Sequence, residues 1–144
     1  MKKKILIISG GISKEREISL KTGKQVANEL IKNKYHVKIT EPDFKLFDNI
    51  KSFKPNIIFN ALHGQFGEDG YIQTILETTG IPYTHSGPIS SAIAMDKELS
   101  KKIFAKYNIL TPKHILYSFN QPKLDLIKLI ETKLNFPVVI KPIN

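Results

Sequence analysis

Residues 56–70 read Asn56-Ile57-Ile58-Phe59-Asn60-Ala61-Leu62-His63-Gly64-Gln65-Phe66-Gly67-Glu68-Asp69-Gly70. The run from Asn56 to Leu62 is short, apolar and β-branched, with no polar alternation, so it predicts a strand buried on both faces, as a parallel sheet between helices requires. Gly64, Gly67 and Gly70 then punctuate a loop in which unusual backbone angles and close approach are possible. A helix is expected from about Tyr71 to Thr79, closed by Gly80 as a carboxyl-terminal glycine. Strand, glycine loop and helix in this order form half of a βαβ unit.

The same grammar recurs outward from this stretch. Lys4 to Ile8 is an apolar run that ends at Gly10-Gly11, after which Ile18, Val26, Leu30 and Ile31 return at roughly helical spacing. His36 to Thr40 reads as a second strand, Phe44 to Phe53 as a helical stretch, and Ile81 to Thr84 as a short fourth strand. Alternation of this kind implies an α/β fold with a Rossmann-like parallel sheet. The character changes after Ser86, and the domain boundary is placed near Asp96, giving a first domain at 1–95 and a second at 96–144. In the second, a lysine-rich helix carrying Leu99, Ile103 and Phe104 is expected to end near Tyr107. It should be followed by a strand at His114 to Tyr117, a helix from Asp125 to Leu134 and a strand at Pro137 to Pro142. With nothing to cover that last strand, the second domain is expected to be an incomplete start.

Composition narrows the function classes. The 144 residues are 41% apolar, enough for a real core. Met1-Lys2-Lys3-Lys4 followed by Ile5 to Ile8 imitates a signal peptide, but Ser9-Gly10-Gly11 ends the apolar run too soon, and no other segment approaches membrane-spanning length. No cysteine is present, which removes thiolate nucleophiles and cysteine zinc sites and agrees with a cytoplasmic location. The net charge of +9 invites a nucleic-acid reading. Against it, the basic residues are lysines scattered along the chain, with Arg16 the single arginine, whereas base and phosphate recognition favours arginine's planar fork. A solvated lysine surface is the simpler account, and an anionic substrate would still gain from the field.

Three sets of residues carry candidate chemistry. The first is Ser9 to Ser19, where Gly10 and Gly11 follow a strand and Glu15 stands at its carboxyl end. Ligands gather at that edge of open α/β sheets. Glu15 could hold an ammonium group there, or could merely complement the dipole of the next helix. Two glycines do not make a dinucleotide fingerprint or a phosphate loop. The second set is His63 with Glu68 and Asp69; the histidine could donate to a substrate carboxylate or bond only to its own loop, and the two acids are expected to cap the next helix. No zinc or calcium spacing is readable. The third set is Lys97 and Lys141, point charges suited to phosphate oxygens, the latter fixed at a strand end by Pro142.

Taken together, these segments resemble the D-alanine:D-alanine ligase family of the ATP-grasp superfamily. The resemblance is carried by Gly10-Gly11-Ile12-Ser13 with Glu15-Arg16-Glu17-Ile18-Ser19, by Ala61 to Gly70 with Gln73 and Leu76-Glu77, and by Gly80 to Thr84 with Ser86-Gly87. Met95-Asp96-Lys97 with Lys101, Thr111-Pro112, and Phe136-Pro137 leading to Lys141-Pro142 continue it in order. It implies that ATP phosphorylates the carboxylate of one D-alanine and that the amine of a second attacks the acyl phosphate, giving the dipeptide used for peptidoglycan. Carried over by position, Glu15 and His63 would bind the first D-alanine, Ile18 would line its pocket, and Lys97 and Lys141 would reach the ATP phosphates. Mg2+ and a homodimer are implied as well, with no membrane and no nucleic acid among the partners.

The sequence departs from the family pattern at His85, where glycine is usual before Ser86-Gly87. The family's glycine- and serine-rich phosphate loop, a later arginine and the magnesium-binding carboxylates and asparagine are expected beyond Asn144, so the 144 residues alone are expected not to turn over. Two other readings remain at this stage: a ligase whose acceptor is D-lactate or D-serine, and a non-catalytic module that only binds.

Overall fold

The computed structural model describes residues 2–118, 120 and 122–143. The chain divides into two compact units, Met1–Ala94 and Met95–Asn144. Its helices and strands follow the order β1 (Lys4–Ile8), α1 (Arg16–Lys32), β2 (His36–Thr40), α2 (Leu46–Phe53), β3 (Ile57–Asn60), α3 (Tyr71–Glu77), α4 (Pro88–Met95), α5 (Lys97–Lys106) and α6 (Lys123–Lys133).

In the first unit the three strands form a parallel sheet in the order β2-β1-β3, with Ile5 opposite Val37 on one side and Ile57 on the other. The central strand explains its own sequence. Successive side chains of a strand point to opposite faces, and both faces of β1 are covered, so Ile5, Leu6, Ile7 and Ile8 are all buried. Leu6 and Ile8 pack with Leu46 and Ile50 of α2, Ile58 and Leu62, and Ile72 and Leu76 of α3. Ile5 and Ile7 pack on the opposite face with Ala27 of α1 and Ala61, flanked by Val26, Leu30, Val37 and Phe59. The result is helix, sheet and helix in layers, and the α/β expectation holds.

Ile81 to Thr84 join the outer side of β3 through a single parallel bridge between Ile58 and Tyr83. Ile58 N–H donates to Pro82 O at 2.9 Å and Thr84 N–H to Ile58 O at 3.0 Å. The predicted fourth strand is thus one bridge long. Beside it, burial, then the hydrogen bond to Glu77 and that residue's charge, push the Tyr83 phenol up to about 12. The chain then turns at His85 with φ of +84°. That left-handed region costs a residue with a Cβ roughly 1–2 kcal/mol relative to its preferred angles, which accounts for the glycine usual at this place. Helix α4, which the periodicity did not predict, follows it.

Helix α1 sits unusually close to β1. A Cβ on Gly23 would lie 2.6 Å from both Cβ and Oγ of Ser9, which is itself buried. Glycine is therefore required in mid-helix, where it is otherwise unfavourable by about 1 kcal/mol against alanine.

The second unit holds α5 and α6. Asp96 caps α5, its carboxylate accepting from Leu99 N–H at 2.8 Å. Among the described residues this unit has no strand, so the strands expected at His114 to Tyr117 and Pro137 to Pro142 are not formed. A strand exists only through a neighbour that accepts and donates along its length, and apolar, β-branched composition cannot supply that neighbour. Leu110 and Ile140 remain 98% and 85% exposed.

Two substitutions test this account by urea denaturation. Gly23→Ala should destabilise the protein by about 1–3 kcal/mol, since overpacking outweighs alanine's helix preference. His85→Gly should stabilise it by about 1 kcal/mol, the relief of left-handed strain exceeding glycine's added chain entropy; a loss of stability there would contradict the reading.

Candidate functional site

All three strands run the same way, so their carboxyl ends lie along one edge, and the loops after them open together. The ladder continues past the strands at that edge: Ser9 N–H donates to Thr40 O at 3.0 Å and Ala61 N–H to Ile8 O at 2.8 Å. Ser19 of α1 then ties the first loop to the third. Its buried hydroxyl accepts from Gly10 N–H and donates to Ala61 O, each at 2.8 Å. The loop after β2 joins through Glu41, whose carboxylate meets the Arg16 guanidinium at 2.5 Å and accepts from Gly11 N–H at 3.4 Å.

A second serine aligns the two loops that carry the predicted site. Ser13 Oγ donates to His63 O at 2.8 Å and accepts from Glu15 N–H at 3.0 Å. Glu15 occupies the position just before α1, but its side chain caps nothing. Its carboxylate instead lies over Gly64, where any Cβ would collide with it. Gly64 has φ of +69°, so both backbone angle and space call for glycine. Glu15 is exposed, and among the described residues its carboxylate has no hydrogen bond or ion pair. The structure therefore brings Glu15 and His63 onto one patch, with the carboxylate free.

His63 is half-buried, and its Nε2 lies 3.0 Å from Thr22 Oγ1 of α1. Thr22 is a contact that the sequence reading missed, although its place seven residues after Glu15 and four after Ile18 puts it on the same helical face. Ile18 lies between them on α1 and is 55% exposed. A cavity of about 240 Å³ adjoins the patch, lined by Gly10, Gly11, Leu46, Leu62 and Phe66 and reaching Ser13 and His63 but neither Glu15 nor Ile18.

Glu68 and Asp69 divide the work expected of them. Asp69 accepts from Tyr71 N–H at 3.1 Å at the start of α3 and from Phe66 N–H at 2.8 Å, while Glu68 accepts from Gly64 N–H at 2.7 Å and so closes the loop rather than the helix. Both carboxylates are occupied with backbone.

Lys97 and Lys141 belong to the second unit. The Lys97 ammonium and backbone N–H both donate to Ile143 O, at 3.1 and 3.0 Å, which ties the start of α5 to the segment that carries Lys141. Lys141 is exposed. Among the described residues no group of three or more histidine, cysteine or acidic side chains could hold a metal ion. No helix among the described residues is long and apolar enough to cross a membrane.

Comparison with known proteins gives this edge a context. Residues 38–86, from β2 to the turn at His85, match the family model described as D-ala D-ala ligase N-terminus. The whole chain is 72% identical over 144 residues to a D-alanine:D-alanine ligase of Pelagibacter ubique and covers 47% of it. It is 45% identical over 140 residues to that of Wolbachia pipientis, covering 97% of this chain and 43% of the relative. Among solved structures, the D-alanine:D-alanine ligase of Bacillus anthracis complexed with ATP superposes with a TM-score of 0.68 at 34% identity, over 90% of this chain and 54% of that one. The chain thus spans about half the length of the relatives it matches. On these likenesses the chain matches, over its whole length, the amino-terminal part of D-alanine:D-alanine ligases.

Proposed function

We propose that this chain forms the amino-terminal, substrate-binding part of an ATP-dependent ligase that joins two D-alanines. In this reading the first unit receives the first D-alanine and the second begins the ATP-binding domain. The observation that carries it is the free Glu15 carboxylate over Gly64, held beside His63 by Ser13. An amino acid presents an ammonium and a carboxylate at fixed separation. Glu15 takes the ammonium, His63 donates to the carboxylate, and Ile18 lines the edge that meets the methyl group. The free carboxylate is complementary to the cation, and backbone bonds on both loops set its distance from the histidine.

Lys97 and Lys141 are assigned to the ATP phosphates. A carboxylate oxygen of the first D-alanine attacks the γ-phosphorus, the bond to the bridging oxygen breaks, and ADP leaves. The amine of the second D-alanine then attacks the carbonyl carbon, loses a proton, and expels phosphate. Ammonium groups near the transferring phosphoryl stabilise the charge that spreads over its oxygens. Mg2+ with the nucleotide, a homodimer and a cytoplasmic location complete the proposal by family resemblance.

ADP release coupled to a spectrophotometric assay, with ATP, Mg2+ and D-alanine, tests the reading on this sequence extended in its reading frame to the length of its relatives. D-alanine-dependent release is expected. Glu15→Gln should lower kcat/KM for D-alanine about fivefold, the loss of one exposed charge pairing of up to about 1 kcal/mol, with KM for ATP unchanged. Release that ignores D-alanine, or a Glu15→Gln enzyme as active as its parent, would sink the proposal.

A further inference from the structure

A threonine inside a helix usually turns its hydroxyl back to the carbonyl one turn earlier. Thr74 and Thr132 do so, donating to Gly70 O and Lys128 O at 2.8 Å. Thr22 does not. Its hydroxyl leaves α1 and meets His63 Nε2 at 3.0 Å, across 41 residues of sequence. Both side chains are half-buried, which shields the contact from competing water. His63 is held at its backbone by Ser13 as well, so ring and main chain are fixed from two directions. Among the described residues, His63 Nδ1 has no partner.

A neutral imidazole carries one N–H donor and one acceptor nitrogen, and the partner of one nitrogen decides the role of the other. We propose that Thr22 is the positioning residue of this site: its hydroxyl donates to Nε2 of His63 and so keeps the ring proton on Nδ1, which is left to donate to the carboxylate of D-alanine. This rests on the D-alanine reading of the site given above. Thr22 itself touches no substrate. It acts through the histidine, by fixing both the plane of the ring and the identity of the nitrogen that bears hydrogen. The helix supplies the rest of the geometry, because Glu15, Ile18 and Thr22 recur at spacings of three and four residues along one face. Thr22 on α1 and Glu15, the residue just before that helix, thus stand along one helical face.

Two measurements on three variants test it. Thr22→Val keeps the shape and removes the hydroxyl, Thr22→Ser keeps the hydroxyl, and His63→Gln identifies the His63 signals among the four histidines. Long-range proton–nitrogen NMR on the 144-residue chain reads which ring nitrogen is protonated, with circular dichroism to check that each variant folds. The parent chain and Thr22→Ser should hold the proton on Nδ1, and Thr22→Val should move towards the mixture of a free imidazole. In the extended ligase, Thr22→Val should raise KM for D-alanine about tenfold, the equivalent of one hydrogen bond, with KM for ATP unchanged and Thr22→Ser close to the parent. A Thr22→Val chain with an unchanged tautomer, or a changed tautomer with an unchanged KM for D-alanine, overturns the proposal. If the extended parent releases no ADP on D-alanine, the ligase reading fails instead, and the NMR comparison still decides whether Thr22 sets the His63 ring.

Discussion

The close approach of α1 to β1 is the constraint on which the site edge depends. At Gly23 the helix comes so near to Ser9 that a single Cβ has no room, and only at that range can Ser19 place one hydroxyl between Gly10 N–H and Ala61 O. Both groups are buried or nearly so, and a buried backbone donor or acceptor left unmade costs about 1–3 kcal/mol. The hydroxyl therefore does two things at once. It satisfies the ends of two strands where their ladders run out, and it fixes the distance between the loops that leave them. An alanine in place of Gly23 would lift the helix and loosen that bridge, although it lies more than one helical turn from Glu15 and Ile18.

The polar edge and the apolar middle of the sheet are separate problems solved by the same strands. Ile5 to Ile8 bury side chains on both faces and hold the layers together without directional demands. Past Ile8 the chain switches to Ser9, Gly10, Gly11 and Ser13, small residues that let backbone and hydroxyl groups meet at hydrogen-bond distance. The third strand makes the same switch, from Ile58 to Asn60, whose side chain donates to Gly67 O at 2.9 Å and accepts from Leu62 N–H at 3.0 Å, folding its own loop back. Rigidity in the site thus comes from short polar side chains seated on an apolar base.

Much of the first unit was legible in the sequence because its signals are local. An apolar run that stops at glycine gave β1 and β3 within two residues, and periodicity found α1, although its buried residues are the small Ser19, Gly23 and Ala27 while Ile18 and Ile31 are exposed. What was not legible depends on partners. Residues 114–117 and 137–142 have strand composition but no ladder among the described residues, and composition cannot say whether a neighbour is there. Helix α4, with its serines and alanines, has too little amphipathic contrast for periodicity to find it. Glu15 and His63 were picked out by their place at strand ends, and the structure puts them on one patch. Thr22 was passed over, since a threonine in mid-helix looks like filler until the histidine it meets, 41 residues on, is in view. His85 was visible as a departure from a pattern, yet only its positive φ explains why the pattern has glycine.

An exposed carboxylate such as Glu15 gains little from one ion pair in water, typically less than about 1 kcal/mol. A small zwitterion offers few apolar atoms to make up the difference. Recognition at such an edge has to come from meeting both charges at once, and that is a condition on the separation of two groups carried by different loops. Ser13 sets the separation through one hydroxyl, with bonds of 2.8 and 3.0 Å to the two backbones. Misplacement by 1 Å can cost about a hundredfold in rate where reacting groups must be aligned. In the proposed reading, selectivity on this patch consequently rests not only on Glu15 and His63. It rests also on the hydroxyls of Ser13 and Thr22, whose bonds decide where those two residues stand.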